Sequence, residues 1–127
     1  MINLNTNKIV LVTGSRTGIG KETGVVFARN GYKVIFSGRK LGDCTTMVEK
    51  LLAEGLEASE IAIDLSDISN LKTNVNRALE VWGGLDILIN NAAIIDPIAR
   101  LKQIRAPELE NSSITNFVAP TMLIKYC

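Results

Sequence analysis

Thr13 to Gly20 (TGSRTGIG) stands between a short apolar run, Lys8 to Thr13 (KIVLVT), and a stretch with helical spacing, and this placement decides the fold. Gly14, Gly18 and Gly20 lack side chains where a chain leaving a strand must turn sharply into a helix. Glycine there permits a tight turn, close approach of the backbone to a pyrophosphate, and close packing of helix on strand. The amides at the helix start then face the phosphates. A glycine cluster alone is a weak signal. A preceding strand and a following amphipathic helix are the context that gives it meaning, and both are predicted here. Ser15, Arg16, Thr17 and Ile19 fill the remaining positions, so Gly14 to Gly20 is the candidate phosphate-binding turn of a dinucleotide site.

Outward from that turn, strand-like and helix-like segments alternate, the pattern of a parallel α/β sheet. KIVLVT is β-branched and continuously apolar, as in a strand covered on both faces. Ile19 to Asn30 reads as a helix with Ile19, Val26 and Phe27 on its inner face, stopped by Asn30-Gly31. Lys33 to Ser37 (KVIFS) is a second buried strand, and Asp43 to Glu54 a helix with Met47, Val48, Leu51 and Leu52 inward, ended by Gly55. Ile61 to Leu65 (IAIDL) is a third strand. Ile68 to Trp82 follows as a helix, with Ile68, Leu71, Val75, Ala78, Leu79 and Trp82 at helical spacing and Gly83-Gly84 at its end. Asp86 to Asn90 (DILIN) is a fourth strand. Residues 94–111, with Pro97 and Pro107, read as a loop or broken helix, and Ser112 to Cys127 as a helix interrupted by Pro120. Right-handed crossovers then give a doubly wound, Rossmann-type parallel sheet of about four strands in the order 3-2-1-4, within one domain spanning residues 1–127.

Composition narrows the function classes. At 127 residues, with 46% hydrophobic and 21% charged residues, the chain is the size and character of one globular domain. Lys plus Arg number 14 and Asp plus Glu 13, a net +1 too balanced to favour nucleic acid or an anionic membrane as partner. No apolar run approaches the ~20 residues of a bilayer span. The start MINLNTNKIVLVTG reads as a polar lead-in to the first strand rather than a secretory signal, so a cytoplasmic location is expected. Cys44 and Cys127 show no metal spacing and are read as reduced thiols; histidine is absent, which removes Ser-His-Asp, Cys-His and His-ligated zinc chemistry.

The end of the second strand carries the next signal. A Rossmann unit specific for NAD places an acid there to bind the ribose 2′-hydroxyl. This chain has Ser37-Gly38-Arg39-Lys40, with no acid until Asp43. A carboxylate repels a 2′-phosphate, whereas Arg39 can pair with one through a charge-assisted fork, and Arg16 can join from the glycine turn. Two solvated surface arginines are the competing reading. NADP(H) is therefore the preferred cofactor, with NAD(H) possible.

The pattern TGxxxGIG resembles the signature of the short-chain dehydrogenases/reductases. Further matches follow in order: Asp64-Leu65 closing strand three, Asn90-Asn91-Ala92 closing strand four, and Asn116 in the helix beyond. The resemblance implies that Asp64 accepts from the adenine amino group while Leu65 packs near the ring; a helix cap near Ser66 is the alternative for Asp64. It implies that Asn90, Asn91 and Ala92 line the cofactor ribose and brace the sheet, with Ala93 where the family more often has glycine. It implies that the main-chain carbonyl of Asn116 holds a water in a proton relay. Pro120 lends a physical argument, because the missing N–H would otherwise bond that carbonyl; a kink without further role is the alternative.

The family's chemistry is hydride transfer to a carbonyl or from an alcohol carbon of a small-molecule substrate, with a tyrosine as acid/base and a lysine four residues later. Tyr32 is followed at the fourth position by Phe36, and Tyr126 is penultimate, so residues 1–127 contain no Tyr-x-x-x-Lys. Ser112 and Ser113 precede Asn116, whereas the family's serine follows it. The resemblance thus covers the amino-terminal half of a family domain about twice as long. Three expectations compete: part of an NADP(H)-dependent reductase, inactive as an isolated chain, with a homo-oligomer among its expected partners; a non-catalytic dinucleotide-binding module; and a flavodoxin-like receiver, which lacks its acidic cluster here.

Overall fold

The computed structural model describes residues 7–127; the expected lead-in at residues 1–6 lies outside them. The elements follow in the order β1 (Ile9–Val12), α1 (Gly18–Arg29), β2 (Lys33–Gly38), α2 (Thr45–Ala53), β3 (Ala58–Ala62), α3 (Ile68–Trp82) and β4 (Ile87–Ile89). A short 3-10 turn at Leu101–Gln103 then leads to α4 (Ala106–Ser113), one turn of π-helix (Ile114–Val118) and α5 (Ala119–Tyr126). The four strands are parallel and ordered β3-β2-β1-β4, the order expected from right-handed crossovers.

Each face of the sheet has its own core, which explains the uninterrupted apolar runs. Val10, Val12, Val34 and Phe36 point to one side, where Val25 and Ala28 of α1 and Met47, Val48 and Leu51 of α2 cover them. Ile9, Leu11 and Ile35 point to the other, against Leu71, Val75 and Ala78 of α3 and Ala119 and Leu123 of α5. Cys44 is buried at the start of α2, where burial, and then the carboxylates of Glu60 and Asp43, push its thiol up to about 11 and keep it protonated.

Several expectations are corrected. The inner face of α1 is not Ile19, Val26 and Phe27. Ile19 is 80% exposed and Val26 59%, while Gly20, Gly24, Val25 and Ala28 are buried. The helix lies too close to the sheet for large side chains: a Cβ on Gly24 would strike the Phe36 ring, and one on Gly20 the Asn91 side chain. Phe27, by contrast, is half-buried and packs against that core as expected, with its ring 4.8 Å from that of Tyr32.

In α2, Leu52 is 52% exposed, since the contact face runs through Met47, Val48 and Leu51 and turns past position 52. The third strand lies three residues earlier than the apolar run IAIDL. It pairs Val34 with Ala58 through Gly38 with Ala62, and as the sheet's outer strand it stays half-exposed beyond Ala58. Ile63 and Leu65 leave the ladder to bury beneath α3, so hydrophobicity marked their packing rather than their pairing. Asp64 and Leu65 therefore follow β3 rather than close it.

The fourth strand is shorter than DILIN, because Asp86 sits below it with its carboxylate accepting from the Ile9 amide at 2.8 Å. In the last stretch the helix runs on through Pro120, and its interruption takes the form of the π turn just before that residue. Residues 94–111 are a loop, the 3-10 turn and α4, as the two prolines suggest.

The Gly24–Phe36 contact predicts that Gly24→Val costs about 2–3 kcal/mol in urea unfolding, whereas Val26→Ser on the same helix costs less than about 0.5 kcal/mol. Equal unfolding midpoints for Gly24→Val and the parent chain would contradict the close approach of α1.

Candidate dinucleotide site

The turn between β1 and α1 is built by the residues that follow β4. Thr13 continues β1, its amide donating to the Ile89 carbonyl at 3.1 Å, and its hydroxyl oxygen accepts from the amides of Asn91 at 3.1 Å and Ala92 at 3.0 Å. The Asn91 side-chain amide returns the contact, donating to the carbonyls of Thr13 and Gly14, each at 3.1 Å. Gly14 has φ +61°, and a Cβ there would lie 2.7 Å from the Ala92 Cα. The glycine thus serves both a left-handed turn and a backbone crossing. Gly18, at φ +63°, has no atom within 4 Å of its would-be Cβ, so its need is conformational and it opens α1 with Thr17 at the N-cap. The first amides of α1 have no partner within the helix, leaving donors at the mouth of the turn.

Ser15 and Ser37 lie under this turn rather than on it. Both are fully buried. The Ser15 hydroxyl donates to the Val12 carbonyl at 2.8 Å and accepts from the Ser37 amide at 2.8 Å, while the Ser37 hydroxyl donates to the same Val12 carbonyl at 3.2 Å. Their side chains are spent joining β1 to β2. Of the residues expected at the cofactor, these two therefore have their hydroxyls engaged within the sheet.

Beyond the carboxyl ends of the strands lies a cleft of about 360 Å³. The structure brings together in its wall Gly14, Arg16 and Thr17 from the turn, Arg39 from the end of β2, Asp64 and Leu65 from beyond β3, and Asn91 and Ala92 from beyond β4. Ala93 of the asparagine motif lines it too, as do Gly38, Ile63, Ser66, Ile94, Asn111 and Thr115, which were not named from sequence as binding residues. Ile63 and Ser66 flank Asp64-Leu65, so adjacency could have found them. Asn111 and Thr115 come from the helical segment after the long loop, and no local signal places them here. A larger groove of about 970 Å³ runs along the outer side of α1, past Ile19, Val26 and Tyr32, away from the strand ends.

Asp64 does not cap α3. Its carboxylate accepts from the Ser66 amide at 3.0 Å and the Ser66 hydroxyl at 2.6 Å, while Asp67 takes the N-cap position of α3. The same Asp64 oxygen lies 3.9 Å from the Arg39 Nε. The Arg39 side chain is 73% exposed, and a pair this long and open is worth at most about 1 kcal/mol, so a bound anion readily outcompetes it.

The Asn90 side-chain amide donates to the Pro120 carbonyl at 3.4 Å. Asn116 clasps the loop after β4: its Oδ1 accepts from the Ile94 amide at 2.8 Å and its Nδ2 donates to the Ile94 carbonyl at 2.7 Å. These bonds tie the helical segment 106–126 to the strand ends. Among the described residues no group of acidic, cysteine or histidine side chains could hold a metal ion, and no helix is long and apolar enough to cross a membrane.

The double lacing of Asn91 to Thr13 and Gly14 predicts that Asn91→Ala destabilises the fold by about 2 kcal/mol, the cost of stranding two partly buried carbonyls. Thermal unfolding of that variant at the parent midpoint would show that the asparagine braces nothing.

Comparison with known proteins agrees with this geometry. The family model described as short chain dehydrogenase matches residues 8–127. Galactitol 2-dehydrogenase of Agrobacterium fabrum is 33% identical over 119 residues, covering 94% of this chain and 45% of that protein. An uncharacterized oxidoreductase of Thermotoga maritima is 30% identical over 120 residues, covering 94% of this chain and 46% of the relative. Among solved structures, a blue fluorescent protein from a metagenomic library in complex with NADPH superposes with a TM-score of 0.89 at 29% identity, covering 98% of this chain and 51% of that one. A 3-oxoacyl (acyl-carrier-protein) reductase of Agrobacterium tumefaciens with NADP bound gives 0.85 at 29% identity, covering 94% and 45%. The chain therefore spans about half the length of the relatives it matches, and within that span it belongs to the short-chain dehydrogenase family.

Proposed function

We propose that residues 1–127 form the NADP(H)-seating part of a short-chain oxidoreductase that reduces a carbonyl or oxidises an alcohol on a small-molecule substrate. The observation that carries this reading is the exposed Arg39 guanidinium just beyond the end of β2, in the wall of the same cleft as the glycine turn, where β2 itself ends on Gly38 rather than on an acid.

The wall fits a dinucleotide phosphate. Unpaired amides at the start of α1 suit the pyrophosphate, and Arg39, with Arg16 at the other side of the cleft mouth, suits a 2′-phosphate. Asp64, turned on Ser66 and open on its outer side, is the acceptor for the adenine amino group, with Leu65 behind the ring. Gly14, Gly18, Gly20, Thr17 and Ile19 shape the backbone cradle, and Asn91 and Ala92 bound the ribose side. The relatives solved with NADPH and NADP bear on the same choice of cofactor.

A bound nicotinamide supplies or removes the hydride; the chain's own part is to seat and orient it. For Asn116 the proposed role is a water held on its main-chain carbonyl. Two observations support this: Pro120 has no N–H to offer that carbonyl, and the helix is already π-type there, with the Ala119 amide donating to Ile114. Because residues 1–127 contain no Tyr-x-x-x-Lys, the isolated chain binds cofactor and turns nothing over. That absence equally favours a pure binding module, and turnover distinguishes the two once residues supplying Tyr-x-x-x-Lys are joined to the chain.

Isothermal titration of the 127-residue chain is expected to show tighter binding of NADPH than of NADH. Arg39→Ala should weaken NADPH about tenfold, the worth of one charge-assisted pair, and leave NADH unchanged. Equal losses for both cofactors, or no preference in the parent chain, would overturn the assignment.

A further inference from the structure

The acid nearest the end of β2 faces its own loop rather than the cleft, and it fills the space a strand-end acid would need. Asp43, half-buried before α2, turns its carboxylate over Gly38, with Oδ2 accepting from the Lys40 amide at 3.1 Å. The Asp43 amide in turn donates to the Lys40 carbonyl at 3.2 Å, closing residues 40–43 into a turn bonded at both ends.

Gly38 is the buried last residue of β2. Its φ lies outside the left-handed region, so its backbone would accept any L residue. What forbids a side chain is contact. A Cβ on Gly38 would lie 2.5 Å from the Asp43 Cβ, 2.7 Å from its Oδ2 and 3.0 Å from its Cγ. The far end of the loop is held as well, since Glu60 of β3 accepts from the Cys44 amide at 3.1 Å and also bonds the Thr45 hydroxyl. Arg39, between Gly38 and the bonded turn, is the one residue of this corner whose side chain lines the cleft with a charge.

We propose that Asp43 is a positioning residue for cofactor selection. Packed on Gly38 and bonded to Lys40, it holds the β2–α2 corner so that Arg39 meets the adenosine ribose, and it excludes the strand-end carboxylate that a 2′-hydroxyl would require. This inference rests on the NADP(H) reading above and adds the residue that enforces it. The two positions should therefore be coupled: an acid at 38 becomes useful only when Asp43 no longer fills its space. The charge of Asp43 is dispensable, because an asparagine oxygen can accept the same bond from Lys40.

The test is titration of NADPH and NADH into the full 127-residue chain and its variants, with thermal unfolding to confirm that each is folded. Asp43→Ala should lower the NADPH-to-NADH affinity ratio about fivefold, and Asp43→Asn should keep it within about twofold of the parent. Gly38→Asp alone should weaken NADPH without improving NADH, whereas Gly38→Asp with Asp43→Ala should strengthen NADH about fivefold over the parent. A purely structural role would lower both affinities together and leave the ratio unmoved, which would overturn the proposal. So would improved NADH binding by Gly38→Asp alone. A parent chain without NADPH preference would sink the cofactor assignment itself, whereas a parent with that preference and an unmoved Asp43→Ala ratio would sink only the role of Asp43. Should Asp43→Ala fail to fold, Asp43→Asn and Gly38→Asp still decide it: a ratio lost in the first, or NADH gained in the second, contradicts the proposal.

Discussion

The close crossing of the β1–α1 turn by the segment leaving β4 is the contact on which the site depends. Four residues make it: Thr13 and Gly14 on one side, Asn91 and Ala92 on the other, joined by four hydrogen bonds of 3.0–3.1 Å. With no side chain on Gly14 or Gly20 the two segments can meet; a Cβ on the first would strike Ala92, and one on the second Asn91. The start of α1 is thereby held against the sheet, with its amides at one rim of the cleft. Because the bonds join β1 to the segment leaving its neighbour β4, the start of α1 and the pairing of these two strands are secured by the same atoms.

Charge is distributed around that frame with little to spare. The cleft's cationic side chains, Arg16 and Arg39, stand at its mouth, and its acid, Asp64, is turned partly inward on Ser66. Arg39 leans toward Asp64 at 3.9 Å, too weakly to bind it in place. An anion arriving at the rim would meet donors from the helix start and a guanidinium that gives up little to rotate. The net charge of the whole chain says nothing of this, since selectivity resides in which groups are left unpaired near one another.

Reading the sequence succeeded where a residue type has one physical use. Glycines in a strand-to-helix turn, continuous β-branched runs, and glycines ending helices gave the sheet, its order and the place of the cleft. It failed where packing distance overrides hydrophobicity. Ile19 and Val26 looked like the inner face of α1, yet glycine and alanine occupy that face because the helix sits almost on the strands. IAIDL looked like a strand, yet Ile63 and Leu65 are core residues past the ladder's end. Ser15 and Ser37 are expected at the cofactor, and only the network at Val12 shows their hydroxyls engaged within the sheet. Asp43 was legible merely as the first acid after β2; its fold over Gly38 requires coordinates. Thr115 and Asn111 reach the cleft through tertiary placement that no local pattern encodes.

On the proposed function, the frame of Gly14, Thr13 and Asn91 presents a seat for a dinucleotide whose 2′-phosphate meets Arg39. A crystal structure of the chain grown with NADPH tests this most directly. The expected complex has the pyrophosphate against the amides that open α1, the adenine beside Asp64, and the 2′-phosphate within hydrogen-bond distance of the Arg39 guanidinium. Adenosine density lying elsewhere, above all in the apolar groove along the outer side of α1, would contradict it.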